Sequence, residues 1–382
     1  VIEVDEPKRP PVPAPARTPQ PPAVLGSDPF VDPGGHDPLE GWLDALDARA
    51  GVPPAVAAES GGAAATPLPR AAEPQVRPRR VARARRRTPA PELRTPPALP
   101  RLADVEVRPE LRALARLVGE DPARRLSALA VTEGWDRFGL SASALRQAFP
   151  FFYALYRLWF RVRSQGHAHV PSAGPVVLAA NHGGLLPFDG AMAVVDLLLH
   201  TDPPRLPRAI VDRWAGGLPW VNVFFARVGQ VIGTHENFAR LLADEQAVLV
   251  FPEGTEAIRK PITQRYRLQR FHTGFVAHAL RARAPIVPMA ILGSDDQAPI
   301  LYDVKPLARL LHLPAAPITP TFPWLGPLGL VPYPVSYRIA YGAPLCFHER
   351  FGAEAAEDPA VVGALAGQVR RAVQGLLDRH RT

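Results

Sequence analysis

The chain has 382 residues, 47 of them proline, a single cysteine and a formal charge of +8. Cys346, standing alone, excludes an intramolecular disulfide and any cysteine-rich metal site. Proline at this density interrupts helices and sheet ladders alike, which excludes one uniformly packed body, while a basic excess suits anionic lipid surfaces or phosphorylated substrates without choosing between them.

Residues 1–101 are rich in Pro, Ala and Arg and poor in aromatics, the composition of a disordered region. No signal-peptide apolar core opens the chain, although a start at Val1 leaves room for an upstream segment. Leu39, Trp42, Leu43 and Leu46 fall on one face of a short recognition helix. Arg77, Arg79, Arg80, Arg83, Arg85, Arg86 and Arg87 then form a basic run that suits anionic lipid, nucleic acid or a solvated linker. It has no interleaved aromatics and no nucleic-acid fold beside it, so no nucleic-acid partner is expected. The tail's protein partner is left open.

Residues 102–148 read as a helical accessory segment, with Leu111, Leu114 and Leu117 in helical register and Asp121-Pro122 as a helix start. The main domain is 149–382. It opens on an aromatic stretch, Phe149–Arg161, too short to span a bilayer. That stretch fits either a helix at a membrane interface or a core helix over a sheet. Short apolar runs then predict strands at Val176–Ala180, Arg208–Val211, Ala247–Phe251, Ala284–Gly293 and Val335–Tyr341. Helical patterns separate them at Gly190–Leu199, Glu236–Gln246 and Pro359–Arg381. Strands alternating with helices predict an α/β fold, a sheet flanked by helices.

The chemistry-bearing stretch follows the first of these strands: Asn181-His182-Gly183-Gly184-Leu185-Leu186-Pro187-Phe188-Asp189. A strand that delivers a histidine into a glycine-rich turn places it at the carboxyl edge of the sheet. A carboxylate accepting from one imidazole nitrogen leaves the other to act as a general base near neutral pH. Taken by itself, the pair fits equally a strand cap and a helix cap.

Read together, Asn-His…Asp, Gly229…Gly233-Thr234, Phe251-Pro252-Glu253-Gly254-Thr255 and Ile286-Val287-Pro288 resemble the glycerolipid acyltransferase family, over about Gly166 to Leu345. The resemblance implies a glycerol-3-phosphate acyltransferase-like sheet, with 149–382 as the acyltransferase domain. It makes His182 the general base and Asp189 its orienting partner. Gly233, Thr234, Phe251, Pro252, Glu253, Gly254, Thr255, Arg259 and Lys260 would shape the substrate site. Backbone N–H groups at Gly183 and Gly184 are candidates for holding the developing oxyanion. No Gly-x-Ser-x-Gly elbow occurs, so transfer is expected directly from acyl-CoA or acyl carrier protein to a lipid hydroxyl, with no covalent intermediate. No cofactor beyond that co-substrate and no metal is expected.

The chain departs from the family pattern in three places. Six residues, not four, separate His182 from Asp189, an irregularity similar to that of the monoacylglycerol and diacylglycerol acyltransferase-like branch. His235 stands nearest the position of the usual second-motif arginine. Glu256 follows Phe-Pro-Glu-Gly-Thr where an arginine is usual, with Arg259, Lys260 and Arg265 later. These arginines would bind an acceptor phosphate, so their replacement turns the expectation toward a neutral glycerolipid. A cytoplasmic protein in peripheral or monotopic contact with the membrane follows, with the charge-free segment Leu313–Tyr337 as the dipping surface. The alternative is a catalytically silent acyltransferase fold serving as a lipid-binding interaction module.

Overall fold

The computed structural model describes residues 105–129, 134–310 and 315–381. The tail 1–101, with its expected disorder, recognition helix and arginine run, lies outside the described residues.

Two short helices, α1 (Arg112–Val118) and α2 (Glu120–Ala128), precede α3 (Ala142–Ala154). The sheet then begins with β1 (Arg163–Gln165) and β2 (Val176–Ala180), followed by α4 (Phe188–His200) and β3 (Arg208–Val211). Helices α5 (Arg213–Gly216) and α6 (Val221–Arg227) lead to β4 (Val231–Ile232), α7 (His235–Ala243) and β5 (Ala247–Val250). After α8 (Gly274–Arg281) and β6 (Ile286–Leu292) come a two-strand ribbon, β7 (Tyr302–Asp303) and β8 (Pro317–Ile318), with α9 (Lys305–Leu310) between its strands. The chain closes with β9 (Arg338–Tyr341) and α10 (Pro359–His380).

The seven-stranded sheet has the order β1-β9-β6-β2-β5-β3-β4. All neighbours pair in parallel except β6 and β9. A parallel pair needs a crossover long enough to hold a helix, which is why apolar strands and helical patterns alternate along the sequence. The central strands are covered on both faces. Along β2, Val177 and Ala179 enter the core beneath α7, α8 and α10, while Val176, Leu178 and Ala180 enter the core beneath α1–α4. Such strands lack the polar-apolar alternation of a half-exposed strand and read as unbroken apolar runs.

The aromatic stretch after Phe149 packs one side over the sheet, as its core-helix reading expects. Phe149, Tyr156 and Phe160 are buried in the α-facing core, while Phe151 and Leu158 are exposed. The helical phase turns one stripe inward and leaves the other in solvent. Ser141 begins α3 as an N-cap, its hydroxyl accepting from Ala144 N.

Candidate active site

Strands β2, β5 and β6 run parallel and adjacent, so their carboxyl ends fall on one edge. Asn181-His182 follows β2, Phe251–Gly254 follows β5 and Gly293–Gln297 follows β6. Asn181 is buried and ties two of these ends together. Its amide donates to the Ile291 carbonyl at 2.9 Å and its Oδ1 accepts from Ile291 N at 2.7 Å. That pairing satisfies the ladder where β2 stops.

The chain then turns at Gly183 and Gly184 (φ +79°), where any Cβ would overlap Asp295 or the Gln297 amide. Gln297 Nε2 donates to the Gly183 carbonyl at 3.0 Å and the Leu186 carbonyl at 3.3 Å. This clamp gathers the two extra residues of the turn and brings Asp189 back to His182.

Asp189 lies in the first turn of α4 and is fully buried. Its Oδ2 accepts from His182 Nδ1 at 2.6 Å and from Gly183 N at 3.0 Å, and its Oδ1 accepts from Gly190 N at 2.8 Å. The positive end of the helix dipole favours a carboxylate there. With Nδ1 directed at Asp189, Nε2 is the nitrogen left to take a proton. Burial opposes the imidazolium, yet the charge and hydrogen bond of Asp189 outweigh it, so the His182 pKa lies above its ordinary value. The Phe251 ring packs on the imidazole at 4.6 Å between centroids and limits its rotation.

Glu253 is also fully buried, accepting from His182 N at 3.3 Å and Gln269 N at 2.7 Å. Burial raises its pKa against the pull of Lys260. Lys260 Nζ lies 3.3 Å from Asp295 and 4.0 Å from Glu253, itself buried. Asp295 is likewise raised, by burial first, while Lys260 opposes the shift. The three side chains make a buried charged brace under the β2 and β5 ends.

Above the brace opens a cavity of about 1100 Å³. Its walls come from α3, α4, α6 and the β7–β8 ribbon region, with Phe149, Phe152, Val194, Leu198, Phe224 and Ile318 among them. His182 lies on its wall. Among the described residues, no lysine or arginine lines this cavity; its ionisable side chains are His182, Asp212 and His272.

The structure therefore divides the expected site residues. His182, Phe251, Pro252, Gly254 and Thr255 line the cavity, with Asp189 and Glu253 directly behind His182. Lys260 does not reach it. Arg259 points toward Glu256 (3.8 Å) and Asp303 (3.7 Å), outside the lining. Gly233 and Thr234 lie apart, and the Thr234 hydroxyl caps α7 by accepting from Asn237 N at 3.0 Å. His235, next in α7, meets His278 at 3.0 Å instead of the cavity. One expectation is corrected: the Gly183 N–H is already donated to Asp189, so it is not available to an oxyanion.

Gln297, Asp295 and the bridging role of Asn181 were not anticipated from sequence. Their signal is the polar run Gly293-Ser294-Asp295-Asp296-Gln297 at the end of an apolar strand, the same pattern that marks Asn181-His182. His272 and Asp212 carry no such signal.

The Acyltransferase family model matches residues 161–292, the span that contains β2, the His182–Asp189 pair and the β5 and β6 ends. An uncharacterized protein of Mycobacterium tuberculosis (strain H37Rv) is 41% identical over 251 residues, covering 64% of this chain and 68% of that protein. A protein of Gallus gallus described as a DGAT1/2-independent enzyme synthesizing storage lipids is 23% identical over 226 residues, covering 59% and 61%. The crystal structure of the 1-acyl-sn-glycerophosphate acyltransferase PlsC from Thermotoga maritima aligns with a TM-score of 0.42 and 16% identity, over 62% of this chain and 80% of that one. The chain belongs to the glycerolipid acyltransferase family and is an acyltransferase.

Proposed function

We propose that the protein transfers a fatty acyl group from a thioester donor, acyl-CoA or acyl carrier protein, to the hydroxyl of a neutral glycerolipid such as a mono- or diacylglycerol. The observation that carries the acceptor class is that, among the described residues, no lysine or arginine lines the cavity that His182 faces. A phosphomonoester brought into that apolar space would lose its hydration with no cation to replace it, a penalty of several kcal/mol per charge. Glu256 contributes little to this discrimination, because it stands outside the lining.

In this reading His182 Nε2 removes the acceptor proton as the oxygen attacks the thioester carbonyl, and Asp189 offsets the charge left on the imidazole. The thiolate departs with the proton that His182 then returns. The name of the Gallus gallus relative, an enzyme of storage-lipid synthesis, agrees with a neutral acceptor.

The test is a competition assay on the full chain, with labelled acyl-CoA and equal amounts of monoacylglycerol, diacylglycerol and lysophosphatidate in mixed micelles. A neutral acceptor should lead in kcat/KM by at least tenfold. Preference for lysophosphatidate would defeat the acceptor assignment, and no transfer to any lipid hydroxyl would defeat the activity.

Membrane contact belongs to the same proposal. Among the described residues no helix is long and apolar enough to cross a membrane. Yet Trp220, Trp324, Leu325 and Leu328 are each more than half exposed, and Phe322, Pro323 and Leu330 of the same segment line the cavity. A surface of this kind beside the mouth would let an acceptor pass from bilayer to site without entering water. Large apolar side chains contribute roughly 1.5–3 kcal/mol each on burial. Trp324→Asp with Leu325→Asp should therefore weaken liposome binding about 100-fold or more, read by flotation, with an unchanged unfolding midpoint. Undiminished flotation would place the membrane surface elsewhere.

A further inference from the structure

We propose that His167, Asp196 and His200 form a binding site for one divalent transition-metal ion of the zinc class, separate from the His182–Asp189 pair. One ligand atom from each of the three residues lies within 4.8 Å of the others. His167 Nε2 is 3.1 Å from Asp196 Oδ2, and His200 Nδ1 is 3.2 Å from Asp196 Oδ1. Zinc bonds to imidazole and carboxylate of about 2.0–2.2 Å place tetrahedral ligands roughly 3.3–3.6 Å apart. Each imidazole nitrogen thus stands close to the needed length from a carboxylate oxygen, His167 from Oδ2 and His200 from Oδ1, and a shift of about an ångström would draw all three residues onto one ion.

The three residues come from two elements that hold them independently. Asp196 and His200 are four residues apart on α4, the helical spacing that sets two ligands on one face. His167 comes from the turn between β1 and β2 and stacks on His200 with ring centroids 4.6 Å apart. The set of two imidazoles and one carboxylate, with no thiolate, is that of zinc or a neighbouring first-row ion in a site with an open position.

What lies around Asp196 strengthens the assignment. Its carboxylate is fully buried and accepts from Tyr156 OH on Oδ1 and Tyr341 OH on Oδ2, each at 2.7 Å. In each contact the phenol O–H is the donor and the carboxylate oxygen the acceptor. Donors of this kind orient a ligating carboxylate from behind. Both histidine rings retain solvent contact, 19% for His167 and 40% for His200, which gives an ion a way in and a water a place to bind. His200 Nδ1 also lies 2.9 Å from the Asp196 backbone carbonyl, a contact the ion would replace. The ion would staple the β1–β2 connection to α4, about two helical turns, or roughly 10 Å, from Asp189 in the first turn.

The experiment uses the full chain stripped with a chelator and titrated with Zn²⁺ alone by calorimetry. One equivalent should bind, His167→Gln with His200→Gln should lower the affinity by about 100-fold, and Tyr341→Phe should lower it by roughly 10–100-fold through the carboxylate it orients. His182→Gln should leave Zn²⁺ binding unchanged. Loading the stripped protein with Co²⁺ in place of Zn²⁺ should give a visible absorption band that the double variant lacks while its circular dichroism matches the parent. No binding by the parent, or equal binding by the double variant, overturns the site and leaves the cluster a hydrogen-bond network. Loss of binding in His182→Gln would move the metal to the other histidine.

Discussion

His182→Ala should lower kcat by a factor of about 10²–10⁴, the usual contribution of a positioned general base. The unfolding midpoint should stay close to the parent's. The imidazole stands at a strand end with 16% of its side chain exposed, and Asp189 keeps two backbone donors, Gly183 N and Gly190 N, when it is removed. Asp189→Asn should cost a comparable factor by failing to offset the imidazolium. A pH profile separates these roles. The base must be neutral to act, so kcat/KM should climb with pH through an inflection above 6.5, where Asp189 holds His182. In Asp189→Asn, burial acts without the opposing charge, and the inflection should move below that of the parent. Stability runs the other way. The pair's contribution is complete below the unfolded value of 6.5 and is lost as pH rises through the higher folded value. Superimposable pH profiles for parent and Asp189→Asn, or normal turnover in His182→Ala, would remove His182 as the base.

Much of the sheet was legible because its central strands are buried on both faces and leave unbroken apolar runs in the sequence. Val176–Ala180 and Arg208–Val211 are read within a residue of their observed bounds for this reason. The sequence also marks the carboxyl-edge residues His182, Asp189 and Glu253, since a polar cluster ending an apolar strand has few other causes. Spatial allocation was not legible. Lys260 and Arg259 are adjacent in sequence, yet one enters a buried brace and the other reaches Asp303, because a 3₁₀ turn over Gly254–Arg259 ends between them. Thr234 looks like a site residue by motif and proves to be a helix cap, a role that depends only on where α7 begins. Gln297 was missed because its clamp on the Gly183 turn joins positions 114 residues apart. His167 and Asp196 are 29 residues apart and carry no metal-ligand spacing.

Lys260→Met should destabilise the protein by about 3–5 kcal/mol at neutral pH, the range for removing one partner of a buried ion pair. The side chain left behind is similar in length, so the loss is electrical more than steric. Glu253 and Asp295 would remain buried with no cation between them, and both already have pKa values raised by burial despite Lys260. Without it they rise further. A carboxyl whose folded pKa exceeds its unfolded value stabilises fully below the unfolded value and loses that contribution as pH climbs through the folded one. The unfolded values here are 4.5 for Glu253 and 3.8 for Asp295. The variant's deficit against the parent should therefore be largest near pH 8 and shrink on acidification toward pH 5, measured by urea unfolding at each pH. Adding Asp295→Asn should recover part of the loss at neutral pH, because one of the two stranded charges is gone. Catalysis should suffer with stability, since Glu253 Oε1 accepts from His182 N and a shifted Glu253 moves the base. If Lys260 instead served an acceptor phosphate, Lys260→Met would raise KM for lysophosphatidate selectively and leave urea unfolding unchanged at every pH, an outcome that would refute the brace.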